Sequence, residues 1–289
     1  MKPPPFAYHD PRTLDEAIAL LAGLPNARPL AGGQSMMPML NMRFAQPDHL
    51  VDLNRITGLE TVEVEPDGTL AIGAMARQRD LERHPAVARS CPMMVEALGQ
   101  VGHRQTRNRG TIGGSMCHLD PAAELPLVAA ASDAVVVAAG PRGRREATFA
   151  EFARGFMTPG LDPDEVLVAV RLPALPAGAG CCFLEFARRH GDFAIVAVAV
   201  TLVPDAAGRI ALARIALGGV GPVPLRLPEA EAALRGAAPG AEAFGQAAAT
   251  TRHLDPLEDA LVPAWYRRHL AGVLLGRALA TAAGRMGRA

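Results

Sequence analysis

The chain has 289 residues, 49% of them hydrophobic, and its 29 basic and 29 acidic side chains give a formal charge of zero. That length accommodates two modest domains or three small ones, and the charge balance supplies no global field to draw in nucleic acid or an anionic membrane. Charges or prolines interrupt every apolar stretch before transmembrane length, and Met1-Lys2-Pro3-Pro4-Pro5 lacks the apolar centre of a signal peptide, so a soluble cytoplasmic protein is expected.

In chain order, Thr13-Leu14-Asp15-Glu16 is a capping box. It opens a helix with apolar Leu14, Ala17, Ile18 and Leu21, ended by Gly23. Arg28-Pro29-Leu30 leads into a first glycine loop, Ala31-Gly32-Gly33-Gln34-Ser35, and Pro38 limits the following 36–44 to a short turn of helix. Residues 49–53 read as a strand. Residues 61–65 and 69–72 flank Pro66-Asp67-Gly68 and predict a β-hairpin. Helical segments at 77–83 and 86–99 precede the basic tract 103–109 and a second glycine loop, Thr111-Ile112-Gly113-Gly114-Ser115. Then come a helix at 126–131, strands at 134–139 and 165–172, and the Pro-, Gly- and Ala-dense linker 173–180. Beyond it, three successive strands at 181–188, 194–203 and 209–217 give way to helices at 228–235, 241–251 and from Pro263 onward. Strands arranged in hairpins predict an α+β fold.

Lys2 is the only lysine, which excludes a Walker A loop and Schiff-base chemistry. Cys91, Cys117, Cys181 and Cys182 include no C-x-x-C pair, so an iron–sulfur cluster or structural zinc is not expected in this chain, and the cysteines read as small buried thiols. No nucleophile elbow or metalloprotease motif is present, and no catalytic residue is assigned. The arginine tract is too short, and too poor in aromatics, for a nucleic-acid surface. Loop-anchoring carboxylates or an acidic partner surface account for it better. The glycine pairs carry the chemistry. Bare backbone N–H groups at glycine close around phosphate oxygens, and two such loops suit the two phosphates of a dinucleotide. Hydroxyls of Ser35, Thr111 and Ser115 add donors without charge.

Residues 31–35, followed by Pro38, Arg43-Phe44 and Pro47, resemble the first flavin loop of the FAD-binding medium subunit of molybdenum hydroxylases. Asn108-Arg109-Gly110 with 111–115, then Asp120-Pro121 and Glu124-Leu125-Pro126, is similar to the second. Arg188-Arg189-His190-Gly191-Asp192-Phe193-Ala194 and Trp265-Tyr266-Arg267-Arg268-His269-Leu270 resemble that family's C-terminal domain. The xanthine dehydrogenase flavin domain and the aerobic carbon monoxide dehydrogenase medium subunit are the relatives in kind.

The resemblance implies a two-lobed FAD-binding domain of the vanillyl-alcohol-oxidase type at 1–173, with lobes of about 1–56 and 57–173. A C-terminal α+β domain at 181–289 would carry a three-stranded antiparallel sheet and helices. Ala31, Gly32, Gly33, Gln34, Ser35, Thr111, Gly113, Gly114 and Ser115 would hold the pyrophosphate. Glu124 would accept hydrogen bonds from ribityl or ribose hydroxyls as an ionised carboxylate, Leu161 would pack on the flavin ring, and Arg188 would lie near its pyrimidine edge. His118 is placed as a cofactor contact, with a packing or capping role equally open; a covalent flavin link is not expected. Gln34 stands where carbon monoxide dehydrogenase-type subunits have histidine, and Ser115 where aspartate or asparagine is common.

By the same resemblance, a large partner subunit holds molybdopterin and a small one two [2Fe–2S] clusters, in a dimer of heterotrimers. The chain would pass electrons through FAD to quinone, NAD⁺ or oxygen, without nucleic-acid binding or membrane insertion. A flavin-free assembly scaffold and a stand-alone FAD oxidase of the same fold are the alternatives.

Overall fold

A computed structural model describes residues 2–287; Met1 and Arg288-Ala289, which the expected domain bounds include, lie outside the described residues. The N-terminal segment alternates strand and helix: Ala7–His9, helix Leu14–Gly23, Ala27–Leu30, helix Met36–Asn41, His49–Asp52. Its three strands are parallel, with His49–Asp52 in the centre. This departs from the expectation of hairpins alone, because each helix here serves as a crossover connection. The Thr13 capping box forms as expected, its hydroxyl taking the Glu16 N–H while the Glu16 carboxylate reaches back to the Thr13 N–H.

A second sheet is antiparallel throughout, in the order Val62–Val64, Leu70–Gly73, Val166–Leu172, Val135–Gly140, Gly143–Thr148. Helices Pro92–Gln100, Ile112–His118 and Glu124–Ala131 contribute buried side chains to its core. Every residue of Glu124–Ala131 is buried.

Residues 173–179, within the 173–180 expected as a linker, have no regular structure, and Gly180 already begins a strand. The third sheet contains Gly180–Phe186, Val196–Pro204 and Ile210–Gly218, plus a fourth strand, Leu225–Arg226, beyond the three expected. Two residues are too short for an alternation signal, and the pairing with Ala216 and Leu217 is made after a turn. The sheet is covered on both faces. Cys181, Phe183, Ala197, Ala199 and Ala216 join the core of the N-terminal half, whereas Cys182, Val196, Val198, Val200, Ile215 and Leu217 face helices of the C-terminal half. Helix Ala264–Ala283 supplies Leu270, Leu274, Leu275, Ala278 and Leu279 to that second core at helical spacing. No helix among the described residues is long and apolar enough to cross a membrane.

Candidate cofactor-binding site

Strand Ala27–Leu30 delivers the first glycine pair. Gly33 has φ of +73°, a conformation that side chains resist, and this bend turns the chain into helix Met36–Asn41 behind Ser35. The Gln34 side-chain amide donates back to the Gly32 carbonyl at 3.2 Å. The backbone N–H groups of Gly32, Gly33, Gln34 and Ser35 have no hydrogen-bond partner among the described residues. A row of unpaired donors at a bend is a ready anion cradle.

The second glycine pair behaves differently. It occupies the first turn of helix Ile112–His118 instead of a loop, and its N–H groups are engaged: Gly113 with the Ala74 carbonyl at 2.8 Å and Gly114 with the Thr111 hydroxyl oxygen at 3.0 Å. Gly113 is required for packing, since a Cβ there would overlap Ala74. What this motif presents is a capped helix start with the half-buried Ser115 and the buried Thr111 at its entrance.

The fold brings the motifs together. A Cβ on Gly32 would overlap the Arg109 carbonyl and Gly110, and one on Gly114 would lie 3.5 Å from the Ala31 methyl. Arg77 and Asn54, which sequence reading missed, bond to the peptide carbonyls at the edges of both motifs. No local pattern marks them; each matters only once segments distant in sequence have met.

Past Ser115, the chain turns at Leu119 (φ +49°) and enters helix Glu124–Ala131. Glu124 is only 6% exposed. Burial pushes its carboxyl up to about 8, with the negative charges of Glu185 and Asp120 adding to the effect. It therefore holds a proton at neutral pH and can donate as well as accept, which revises the expectation of an ionised acceptor. Glu185, on strand Gly180–Phe186 of the C-terminal half, has a buried, unpartnered Oε2 and is raised to about 7 by burial.

His118 ends its helix; burial lowers its pKa and Asp120 opposes the shift. Leu161 is half-buried against the main core. Arg188 is exposed on the segment between strands Gly180–Phe186 and Val196–Pro204, where Gly191 packs against the His103 ring. Among the described residues the Arg188 side chain has no hydrogen-bond contact with either glycine motif. In the arginine tract, helix Arg104–Arg109 buries Arg107, which pairs with Glu82 at 3.0 Å and donates to the Val101 carbonyl at 2.8 Å. For Arg107 this is loop anchoring by a carboxylate, one of the two roles expected for the tract.

Unpaired N–H donors at a left-handed glycine, faced by a hydroxyl-bearing helix start, have the chemistry that fits the diphosphate of a dinucleotide. Residues 4–175 match the family described as FAD binding domain in molybdopterin dehydrogenase, and residues 182–282 match the CO dehydrogenase flavoprotein C-terminal domain. The chain belongs to this family of FAD-binding medium subunits, and its cofactor is FAD. It is 39% identical to the 6-hydroxypseudooxynicotine dehydrogenase complex subunit alpha of Paenarthrobacter nicotinovorans, over 98% of this chain and 96% of that one. Identity is also 39% to the carbon monoxide dehydrogenase medium chain of Hydrogenophaga pseudoflava, over 96% and 97%. A solved carbon monoxide dehydrogenase from Hydrogenophaga pseudoflava, lacking the Mo-pyranopterin moiety, contains a chain that superposes with a TM-score of 0.95 at 41% identity, covering 99% of this chain and 100% of that one. These relatives are parts of dehydrogenases, and the chain is accordingly a flavin subunit of an oxidoreductase.

Proposed function

We propose that the protein is the FAD-carrying electron-transfer subunit of a cytoplasmic, heterotrimeric molybdenum hydroxylase. It would receive electrons from the [2Fe–2S] clusters of a small partner and deliver them to an external acceptor. A large partner would hold molybdopterin and act on the substrate, and the assembly would be a dimer of heterotrimers. FAD-binding lobes of about 1–56 and 57–173 and a C-terminal domain from 181 complete the reading. The single observation that carries it is the unpaired N–H row of Gly32 to Ser35, closed by Thr111 to Ser115, in a chain of this family.

Residues 31–35 would hold one side of the diphosphate through backbone donors. Thr111, Gly113, Gly114 and Ser115 would close the other, with Gly114 lying beside the Ala31 methyl of the first motif. Glu124, carrying a proton, would hydrogen-bond ribityl hydroxyls, Leu161 and His118 would flank the cofactor, and Arg188 would approach the ring. Bound FAD supplies a store for two electrons that can be filled and emptied singly. Relatives named for carbon monoxide and for 6-hydroxypseudooxynicotine are equally identical to this chain. That supports placing substrate choice in another subunit.

The test is uptake of FAD by the purified full chain, read as flavin absorption. Gly33→Asp and Gly114→Asp each put a side chain and a negative charge against phosphate, so both should abolish uptake. Retention of the flavin spectrum in both variants would favour a different site, and no uptake by the unaltered chain would favour the scaffold reading. Reduction of the bound flavin by a substrate, with this chain alone, would favour the oxidase reading.

A further inference from the structure

We infer that Arg77, acting with Asn54, is a positioning strut that sets the gap between the two glycine motifs and so shapes the diphosphate grip. The inference rests on the FAD reading above. Arg77 lies immediately before the short helix Gln78–Leu81, on a backbone bridge to Thr111. Its Nη1 donates to the Arg109 carbonyl at 2.5 Å, at the entrance to the second motif, and its Nη2 donates to Asn54 Oδ1 at 2.6 Å. Asn54 Nδ2 in turn donates to the Ala31 carbonyl at 2.8 Å, at the entrance to the first. Three hydrogen bonds thus run from one motif to the other.

The strut has its own footing. Asp52, ending strand His49–Asp52, accepts the Asn54 backbone N–H at 2.9 Å and the Tyr8 hydroxyl at 2.6 Å, and also bonds the Asn54 amide. On the opposite side, Gln78 N–H donates to the Gly110 carbonyl at 2.9 Å. The Arg109–Gly110 backbone is therefore held at two successive carbonyls, by Arg77 and by Gln78, and the Gly32 backbone seats closely against it.

Arg77 is also half-buried with no carboxylate in ion-pair range among the described residues. Burial first, and then neighbouring Arg109, lower its pKa, while the charges of Asp52 and Asp80 oppose the shift. A partly desolvated guanidinium with no direct ion-pair partner is costly. A diphosphate held between the two motifs that Arg77 ties together would add a compensating negative charge. Lysine has the charge but not the planar fork that reaches two acceptors at fixed separation.

The experiment titrates FAD into flavin-free full-length protein and reads binding by flavin fluorescence, for wild type, R77M, R77K, N54A and the double variants R77M/N54A and R77K/N54A. A charge-assisted bridge of this kind corresponds to roughly a 10- to 100-fold rise in Kd for R77M and for N54A. R77K should also bind more weakly, and each double variant should bind about as weakly as its weaker single parent because one unit has been broken twice. FAD that does bind should keep the wild-type visible spectrum, since the ring's surroundings are untouched. Kd values for R77M and R77K within about twofold of wild type, or losses that multiply in the double variants, would overturn the strut. If R77M does not fold, the R77K and N54A cycle decides the question by the same criteria. Failure of wild type to take up FAD would instead overturn the FAD reading, so the two failures are distinct.

Discussion

Glu124 shows how one residue changes meaning between sequence and structure. As a letter three positions after Pro121, it reads as an ionised acceptor. In the fold it opens a helix that is buried along its whole length, and water cannot solvate its charge. The carboxyl therefore keeps its proton until about pH 8, against an ordinary value of 4.5. The consequence for stability has a definite sign. Between those values the folded chain holds a proton that the unfolded chain has released, so stability is greatest below about pH 4.5 at this site and is lost as pH rises through 8. Glu185 acts in the same direction up to about 7. The melting temperature of the flavin-free chain should thus fall by several degrees between about pH 5 and pH 8, a change of a few kcal/mol. Glu124→Gln, neutral at every pH, should flatten that profile. A variant whose profile runs parallel to wild type would show that Glu124 is ionised in the fold.

Elements were legible where a local rule generates them. Thr13 with Glu16 announces a helix start, and Pro66-Asp67-Gly68 announces a hairpin; both form. Elements held by distant partners were not. Strand Ala7–His9 has mostly exposed side chains and exists because His49–Val51 pairs with it in parallel. Helix Arg104–Arg109 has no apolar stripe; its one buried residue is an arginine anchored by Glu82 and two carbonyls. The second glycine motif was legible as a motif but not as a helix. A glycine pair reads as a loop, whereas here Thr111 caps the helix and Gly113 lets its first turn sit on Ala74. The cap makes a prediction at this scale. Thr111→Val should reduce the denaturant-unfolding free energy of the flavin-free chain by about 1 kcal/mol, while Thr111→Ser, which retains the hydroxyl, should leave it near wild type. A loss for Thr111→Ser with none for Thr111→Val would locate Thr111's contribution in its methyl packing instead.

At the scale of the molecule, the linker at 173–179 marks a covalent boundary but not a mechanical one. The sequence shows the linker because proline and glycine are local signals. It does not show the seam, because the strands beyond the linker are apolar at consecutive positions and either face could be the buried one. Both are. Ala197, Ala199 and Ala216 are small, which lets helix Glu124–Ala131 pack closely on this sheet, and the core of the N-terminal half continues through Phe183 into the C-terminal half. Polar ties cross the same seam. Glu96 accepts the Phe183 N–H at 2.8 Å and pairs with Arg285 at 2.6 Å, Asp133 pairs with Arg214 at 2.6 Å and with Arg226, and Gly219 N–H donates to the Pro121 carbonyl at 2.8 Å. A shared apolar core unfolds as a unit. The chain should therefore melt in one calorimetric transition, with or without FAD. Cleavage at a protease site engineered between residues 175 and 178 should leave the halves co-eluting on size exclusion, because the seam rather than the peptide bond joins them. Two resolved transitions, or separation of the fragments after cleavage, would mean that the seam is weak and that the C-terminal half moves independently of the flavin-binding half.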